Sequence, residues 1–83
     1  MIKILFFASL AELAERDSFE MDYVEGLTIR SVVAAMEGVL PIKLVDYLKY
    51  DVSMVSINKV MADWDDVLTD GDELAFLPPF SGG

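Results

Sequence analysis

Two strand-like segments, one at each end of the chain, place the strongest constraint on the fold. Residues 2–8 and residues 73–77 are rich in aliphatic and aromatic side chains of the kind that favour strands. Between them, apolar residues recur at helical spacing over residues 28–36 and 41–48. This order predicts a single α+β domain, in which the first and last strands are adjacent in one mixed sheet and the helices pack on one of its faces.

Short sequence patterns predict where helices and strands begin and end in the first half of the chain. Ser9 and Glu12 form a capping-box pattern, which predicts a short helix after the first strand. Residues 17–23 alternate between apolar and polar side chains, as a half-buried strand does. Thr28 is a suitable N-cap for the next helix, and Gly38 is placed to end it.

The second half of the chain shows a helix, a hairpin and a turn. The later helix should begin near Pro41. Residues 52–57 read as a strand, followed by a turn at Asn58 and Lys59 and by a stronger turn over residues 69–72. Pro78 and Pro79 should end the last strand.

Alternation along the two terminal strands predicts two apolar faces. One face should line the helix-covered core: Ile4, Phe6, Leu74 and Phe76. The other should face away from the helices: Leu5, Phe7, Ala75 and Leu77. In a small domain with helices on one face of the sheet only, no other element covers the second apolar face. We therefore expect this face to be a docking surface, with partial shielding by loops as the alternative.

Composition excludes several classes of function. The chain contains neither cysteine nor histidine, so it has no thiol nucleophile and lacks the commonest soft metal ligands. Its formal net charge of −9 disfavours nucleic acid and anionic membranes as partners, and favours proteins with basic surfaces. We expect a soluble cytoplasmic protein, because no apolar run is long enough to cross a bilayer and no signal peptide is evident.

An acidic cluster over residues 63–73 does not fit a calcium loop. A loop that starts at Asp63 has Val67 at its fifth position, and one that starts at Asp66 has Leu68 at its third, where carboxylates are required. We therefore predict solvated turns there and no metal site. Trp64, within the cluster, is expected to be a core or rim aromatic residue.

The C-terminal run Phe80-Ser81-Gly82-Gly83 follows the proline pair. A terminal glycine has no Cβ, so its carboxylate can enter a narrow enzyme channel. The run predicts a division into a domain of residues 1–77 and an extended tail of residues 78–83.

The sequence motifs at the two ends of the chain, taken together, are similar to those of a known protein family. The opening residues 2–8, the acidic turn 69–73, the apolar strand, Pro78-Pro79 and the terminal Gly82-Gly83 resemble the small subunits of molybdopterin synthase. Members are sulfur carriers with a ubiquitin-like β-grasp fold. Two positions depart from the family: Ala11, where a basic residue that contacts a partner is frequent, and Leu77, where an aromatic residue is frequent.

This resemblance implies a reaction at the tail. An ATP-dependent, ubiquitin-activating-like adenylyltransferase would adenylate Gly83, and a sulfur donor would convert it to a thiocarboxylate. Gly82, which has no side chain, would keep the segment next to the reacting residue narrow. The large synthase subunit would then direct the sulfur to cyclic pyranopterin monophosphate. The chain itself would bind no cofactor, and would not be catalytic alone. The residues implied in partner binding are Phe7, Leu77, Pro78, Pro79, Phe80 and Ser81.

Three other functions fit the same features. A sulfur carrier for thiamine thiazole synthesis shares the fold and the tail chemistry. A ubiquitin-like modifier would use the same activated glycine to form isopeptide bonds with lysines. A β-grasp binding module would use the domain without any chemistry at its tail.

Overall fold

The computed structural model describes residues 1–50 and 53–79, which form a five-stranded sheet and three helices. In chain order the elements are β1 (Ile2–Phe6), α1 (Ser9–Ala14), β2 (Ser18–Met21), α2 (Ile29–Ala35), α3 (Ile42–Leu48), β3 (Met54–Ile57), β4 (Val60–Met61) and β5 (Glu73–Leu77).

The sheet has the strand order β2-β1-β5-β3-β4. The first and last strands are parallel neighbours, with Ile4 opposite Leu74 and Phe6 opposite Phe76. The remaining pairs are antiparallel. The predicted adjacency of the terminal strands in a mixed sheet is confirmed.

The hydrophobic core lies between one face of the sheet and the helices. Buried side chains from all three helices join the four predicted inward residues of β1 and β5 in one cluster. Phe6 and Phe76 stack at the centre, with ring centroids 6.0 Å apart. Trp64 packs on the other side of this pair, 5.8 Å from the Phe76 ring, and is partly buried, as expected of a rim aromatic residue.

The N-terminal elements are shorter than predicted. β1 ends at Phe6 because Ala8 has a φ of 53°, which takes the chain out of the extended conformation. β2 ends at Met21 because its partner Ile2 is the first residue of β1. The predicted capping box is wrong: Ala8 is the N-cap of α1, and its carbonyl oxygen accepts a hydrogen bond from the Ala11 N–H at 3.0 Å.

The later signals correspond to the structure more closely. Thr28 is the N-cap of α2, and its hydroxyl accepts a hydrogen bond from the Ser31 N–H at 3.1 Å. Gly38, with a φ of 78°, follows the end of α2, and Pro41 is the N-cap of α3. The predicted strand over residues 52–57 corresponds to β3, and Val52 lies outside the described residues.

A polar cluster joins the β3–β4 hairpin to the start of β5. Asn58 and Lys59 both have positive φ values, of 51° and 70°, as a two-residue hairpin turn requires. The Asn58 side-chain amide donates to the Asp72 carboxylate at 2.8 Å, and the Glu73 N–H donates to the Asn58 side-chain oxygen at 2.9 Å. Thr69 N–H also donates to Asp72, at 2.7 Å.

The environment of Asp72 acts on its pKa in two directions. Burial of the side chain by itself would raise the pKa of this carboxyl, because it disfavours the charged form. The hydrogen bonds from Thr69 and Asn58 favour the carboxylate and outweigh burial, so the pKa of Asp72 lies below its usual value. The ionised carboxylate therefore stabilises the fold.

This cluster generates a prediction about stability and pH. Asp72→Asn should lower the free energy of unfolding at pH 7 by about 1–3 kcal/mol, because it leaves buried donors with a poorer acceptor. The folded-state pKa is lowered, so the stabilisation is complete above the unfolded-state pKa of about 4 and is lost as the pH falls through the folded-state value. Urea unfolding at pH 7 and pH 2.5 should show the difference between variant and wild type shrinking at the lower pH.

The exposed Asp22 offers a matched control, since Asp22→Asn removes the same charge without a buried hydrogen bond. If the Asp72→Asn deficit has the same size at both pH values, the carboxylate does not stabilise the hairpin through its charge.

Candidate functional site

The tail leaves the sheet at the end of its third strand, β5. Leu77 is the last paired residue and lies opposite Met54 of β3. On the other side of β5, the Phe7 N–H donates to the Phe76 carbonyl oxygen at 3.2 Å. Pro78 and Pro79 have no N–H to continue either ladder, so pairing stops there. Pro78 is half-buried and Pro79 is exposed.

The remaining predicted tail residues lie outside the described part of the chain. They are Phe80, Ser81, Gly82 and Gly83. Their roles, including the reaction at Gly83, stay predictions. The structure does fix where the tail begins, which is beside Phe7 and level with the exposed end of β1.

The sheet face opposite the helices carries a shallow apolar depression of about 310 Å³. We call this surface the open sheet face and define it by the residues that line the depression: Leu5, Phe7, Ser56, Lys59, Met61, Glu73, Ala75 and Leu77. All four residues predicted for this face are among them. Leu77 and Phe7 therefore lie on one surface at the point where the tail leaves the sheet.

Sequence reasoning missed the contribution of the hairpin to this face. Met61 of β4 is 57% exposed and extends the apolar surface beyond β5. Ser56 of β3 lies between them. The alternation of Met54 and Ser56 against the core residue Val55 could have indicated this face, but the pairing of β3 with β5 could not be read from that pattern alone.

Phe6 and Phe7 show how sharply the two faces differ. Phe6 is 3% exposed and stacks in the core, whereas Phe7 is 44% exposed. A large aromatic side chain that remains this accessible beside other apolar residues is typical of an interaction surface. Phe7, which the family resemblance implies in partner binding, thus lies outside the core.

One basic and one acidic residue, Lys59 and Glu73, border the open sheet face. Two other bases form ion pairs elsewhere, Arg30 with Asp65 at 3.0 Å and Lys49 with Glu37. With 15 acidic and 6 basic residues, the chain as a whole is strongly negative, which favours a partner of positive charge.

The described residues contain no group of three or more acidic side chains arranged to hold a metal ion. Within the same part of the chain, no helix is long and apolar enough to span a bilayer.

Comparison with known proteins identifies the family. The ThiS family matches residues 4–83. The chain is 36% identical to the molybdopterin synthase sulfur carrier subunit of Escherichia coli over 85 aligned positions, which cover 100% of both chains. The chain belongs to the ThiS family.

Solved structures of other proteins share this fold. Small archaeal modifier protein 1 of Haloferax volcanii superposes with a TM-score of 0.72 at 25% identity, over 94% of this chain and 95% of that one. A chain from the complex of subunits 1 and 2 of the molybdopterin-converting factor of Helicobacter pylori superposes with a TM-score of 0.67 at 22% identity, over 99% and 97%. The five-stranded sheet of this ThiS-family chain is a ubiquitin-like β-grasp.

The contrast between the two faces generates a prediction about stability. Phe7→Ala should lower the free energy of unfolding by no more than about 1 kcal/mol, because the ring is largely exposed. Phe76→Ala should cost about 3–5 kcal/mol, because it opens a cavity in the core. Urea denaturation followed by circular dichroism measures both. Equal losses would mean that Phe7 belongs to the core and is not free to contact a partner.

Proposed function

We propose that this protein is the sulfur carrier subunit of a molybdopterin synthase. The observation that carries the proposal is the full-length similarity to the E. coli sulfur carrier subunit, which extends through the terminal residues. The Gly82-Gly83 end and the Pro78-Pro79 pair that precedes it supply the features that this function requires.

The chemistry of the tail begins with activation. A free carboxylate is a poor acyl donor because it is ionised and resonance-stabilised at neutral pH. An ATP-dependent, ubiquitin-activating-like enzyme joins the Gly83 carboxylate to AMP and releases pyrophosphate. Hydrosulfide-level sulfur released by a donor protein then attacks the acyl carbon, the bond from that carbon to the AMP oxygen breaks, AMP and a proton leave, and Gly83 ends as a thiocarboxylate. This chain has no cysteine, so the sulfur comes from outside it.

The thiocarboxylate then reacts within the synthase. The large subunit docks on the open sheet face and receives the tail, which begins at Pro78 on the edge of that face. When extended, the four residues after Pro79 can span at most about 13 Å, which is enough to enter a channel of the partner. Two sulfur transfers to cyclic pyranopterin monophosphate complete the dithiolene. Acid–base groups and substrate binding belong to the partner.

The proposal assigns the docking contacts by their position. Phe7 and Leu77 form the apolar anchor beside the exit of the tail, and Phe80 and Ser81 seat the tail in the partner. The complex of subunits 1 and 2 in H. pylori supports a partner of this kind, since its smaller chain has the same fold. The net charge of −9 on the chain accelerates encounter with a basic partner.

A modifier that forms isopeptide bonds is the second candidate. The similarity to small archaeal modifier protein 1 favours it, at 25% identity. The sulfur carrier is favoured over it because the E. coli relative is 36% identical over the whole chain.

The reaction can be tested by altering the end of the tail. A chain extended by one alanine after Gly83 should form no thiocarboxylate and support no conversion of cyclic pyranopterin monophosphate in a reconstituted system. It should still bind the large subunit with nearly unchanged affinity, because the described domain is intact. Conversion that equals wild type would contradict a reaction at the terminal carboxylate.

A second variant tests the narrow approach to the reacting group. Gly82→Val keeps the terminal carboxylate but adds a branched side chain next to it, so conversion should fall by at least about tenfold through steric blockage. Ser81→Ala is the matched control, because it changes the neighbouring residue without adding bulk. If Gly82→Val is as active as this control, the partner's channel is wide and the glycine pair is not required.

A further inference from the structure

A second recess lies beside the docking anchor, at the junction of β1 and α1. It has a volume of about 300 Å³ and is lined by Leu5, Phe6, Phe7, Ala8, Ala11 and Asp17. Leu5 and Phe7 also line the depression of the open sheet face, so the two concavities adjoin each other. A partner that sits on the open sheet face and extends past Phe7 therefore covers this recess as well.

Small side chains keep this recess open. Ala8 ends the strand with a φ of 53°, and its carbonyl oxygen accepts the Ala11 N–H at the start of α1. The side chain of each of these two residues is a single methyl group, so neither fills the recess. The walls are apolar except at Asp17.

Asp17 brings a single negative charge to this apolar recess. Its backbone carbonyl is fixed by a hydrogen bond from the Phe6 N–H at 2.9 Å. Its carboxylate forms no hydrogen bond or ion pair with any residue in the ranges 1–50 and 53–79. The adjacent Arg16 instead places its guanidinium over the Phe19 ring, 5.6 Å from the centroid.

We propose that this recess receives a lysine or arginine side chain of the protein that docks on the open sheet face. The aliphatic stem of that side chain lies against Phe7, Ala8 and Ala11, and its charged end reaches Asp17. Lysine and arginine combine an apolar stem with a cationic head, and so match both parts of the recess. The inference rests on the proposed function for the existence of the docked partner.

Other occupants fit the recess less well. An apolar side chain would cover Asp17 and strip it of water without supplying a counter-charge, which is costly. An acidic side chain would add repulsion within a protein that already has a net charge of −9. The recess is therefore a specificity site that selects a cationic residue in the partner.

Binding of the large synthase subunit from the same organism tests this site, with affinities measured by isothermal titration calorimetry. Asp17→Asn should weaken binding about tenfold, since it removes one partner of a covered charge pair. Glu25→Gln is the control for overall charge: it removes one exposed acid that does not line the recess, and should change the affinity less than about twofold.

A pair of substitutions at residue 11 tests the sign of the partner's charge. Ala11→Gln and Ala11→Arg both place a long, unbranched polar side chain in the recess, but only arginine adds a positive charge. The Ala11→Arg protein should bind the large subunit at least about fivefold more weakly than the Ala11→Gln protein. The reason is that the arginine competes for Asp17 and repels the incoming cation. Thermal unfolding of each variant confirms that the fold is retained, as expected for a half-buried position at the surface.

The outcomes separate this inference from the proposed function. If wild type binds the large subunit but Asp17→Asn behaves like Glu25→Gln, or Ala11→Arg binds more tightly than Ala11→Gln, the cation site is overturned and the proposed function stands. If wild type does not bind the large subunit at all, both are overturned.

Discussion

The parallel pairing of β1 with β5 is the interaction on which the rest of the structure depends. It joins the two ends of the chain at the centre of the sheet, with Ile4 opposite Leu74 and Phe6 opposite Phe76. Because the strands are parallel, the C-terminal end of β1 lies beside the C-terminal end of β5. Phe7 is therefore next to the point where Pro78 leaves the sheet, although the two residues are far apart in sequence.

The opposite faces of the same two strands separate the core from the surface that we propose for docking. Phe6 and Phe76 belong to the core, where loss of volume is costly. Phe7 and Leu77 lie on the open sheet face, where their contribution to folding is small and their contribution to binding is expected to be large. A substitution on one face can thus separate binding from stability, which is seldom possible in a domain of this size.

The strands and their faces could be predicted because alternation is a local property of the sequence. Phe7 and Leu77 were assigned correctly for this reason, and so was the hairpin turn at Asn58. The hydrogen bonds between Asn58 and Asp72, and the place of Met61 on the open sheet face, depend on the pairing of β3 with β5, which alternation does not specify. The recess at Asp17 depends on the backbone conformation of Ala8, which a propensity-based prediction assigns to an extended strand.

In the proposed function this chain supplies a transferable group and the surface that delivers it, whereas partners supply activation and acid–base chemistry. The central proposal is that Gly83 carries sulfur. The intact mass of the protein, purified from its own cells while they make molybdenum cofactor, tests this most directly. Replacement of one oxygen by sulfur should give a population about 16 Da heavier than the unmodified chain, and removal of Gly83 should abolish it. A single unmodified mass in such cells, or a ladder of conjugates to other proteins through Gly83, would contradict the claim.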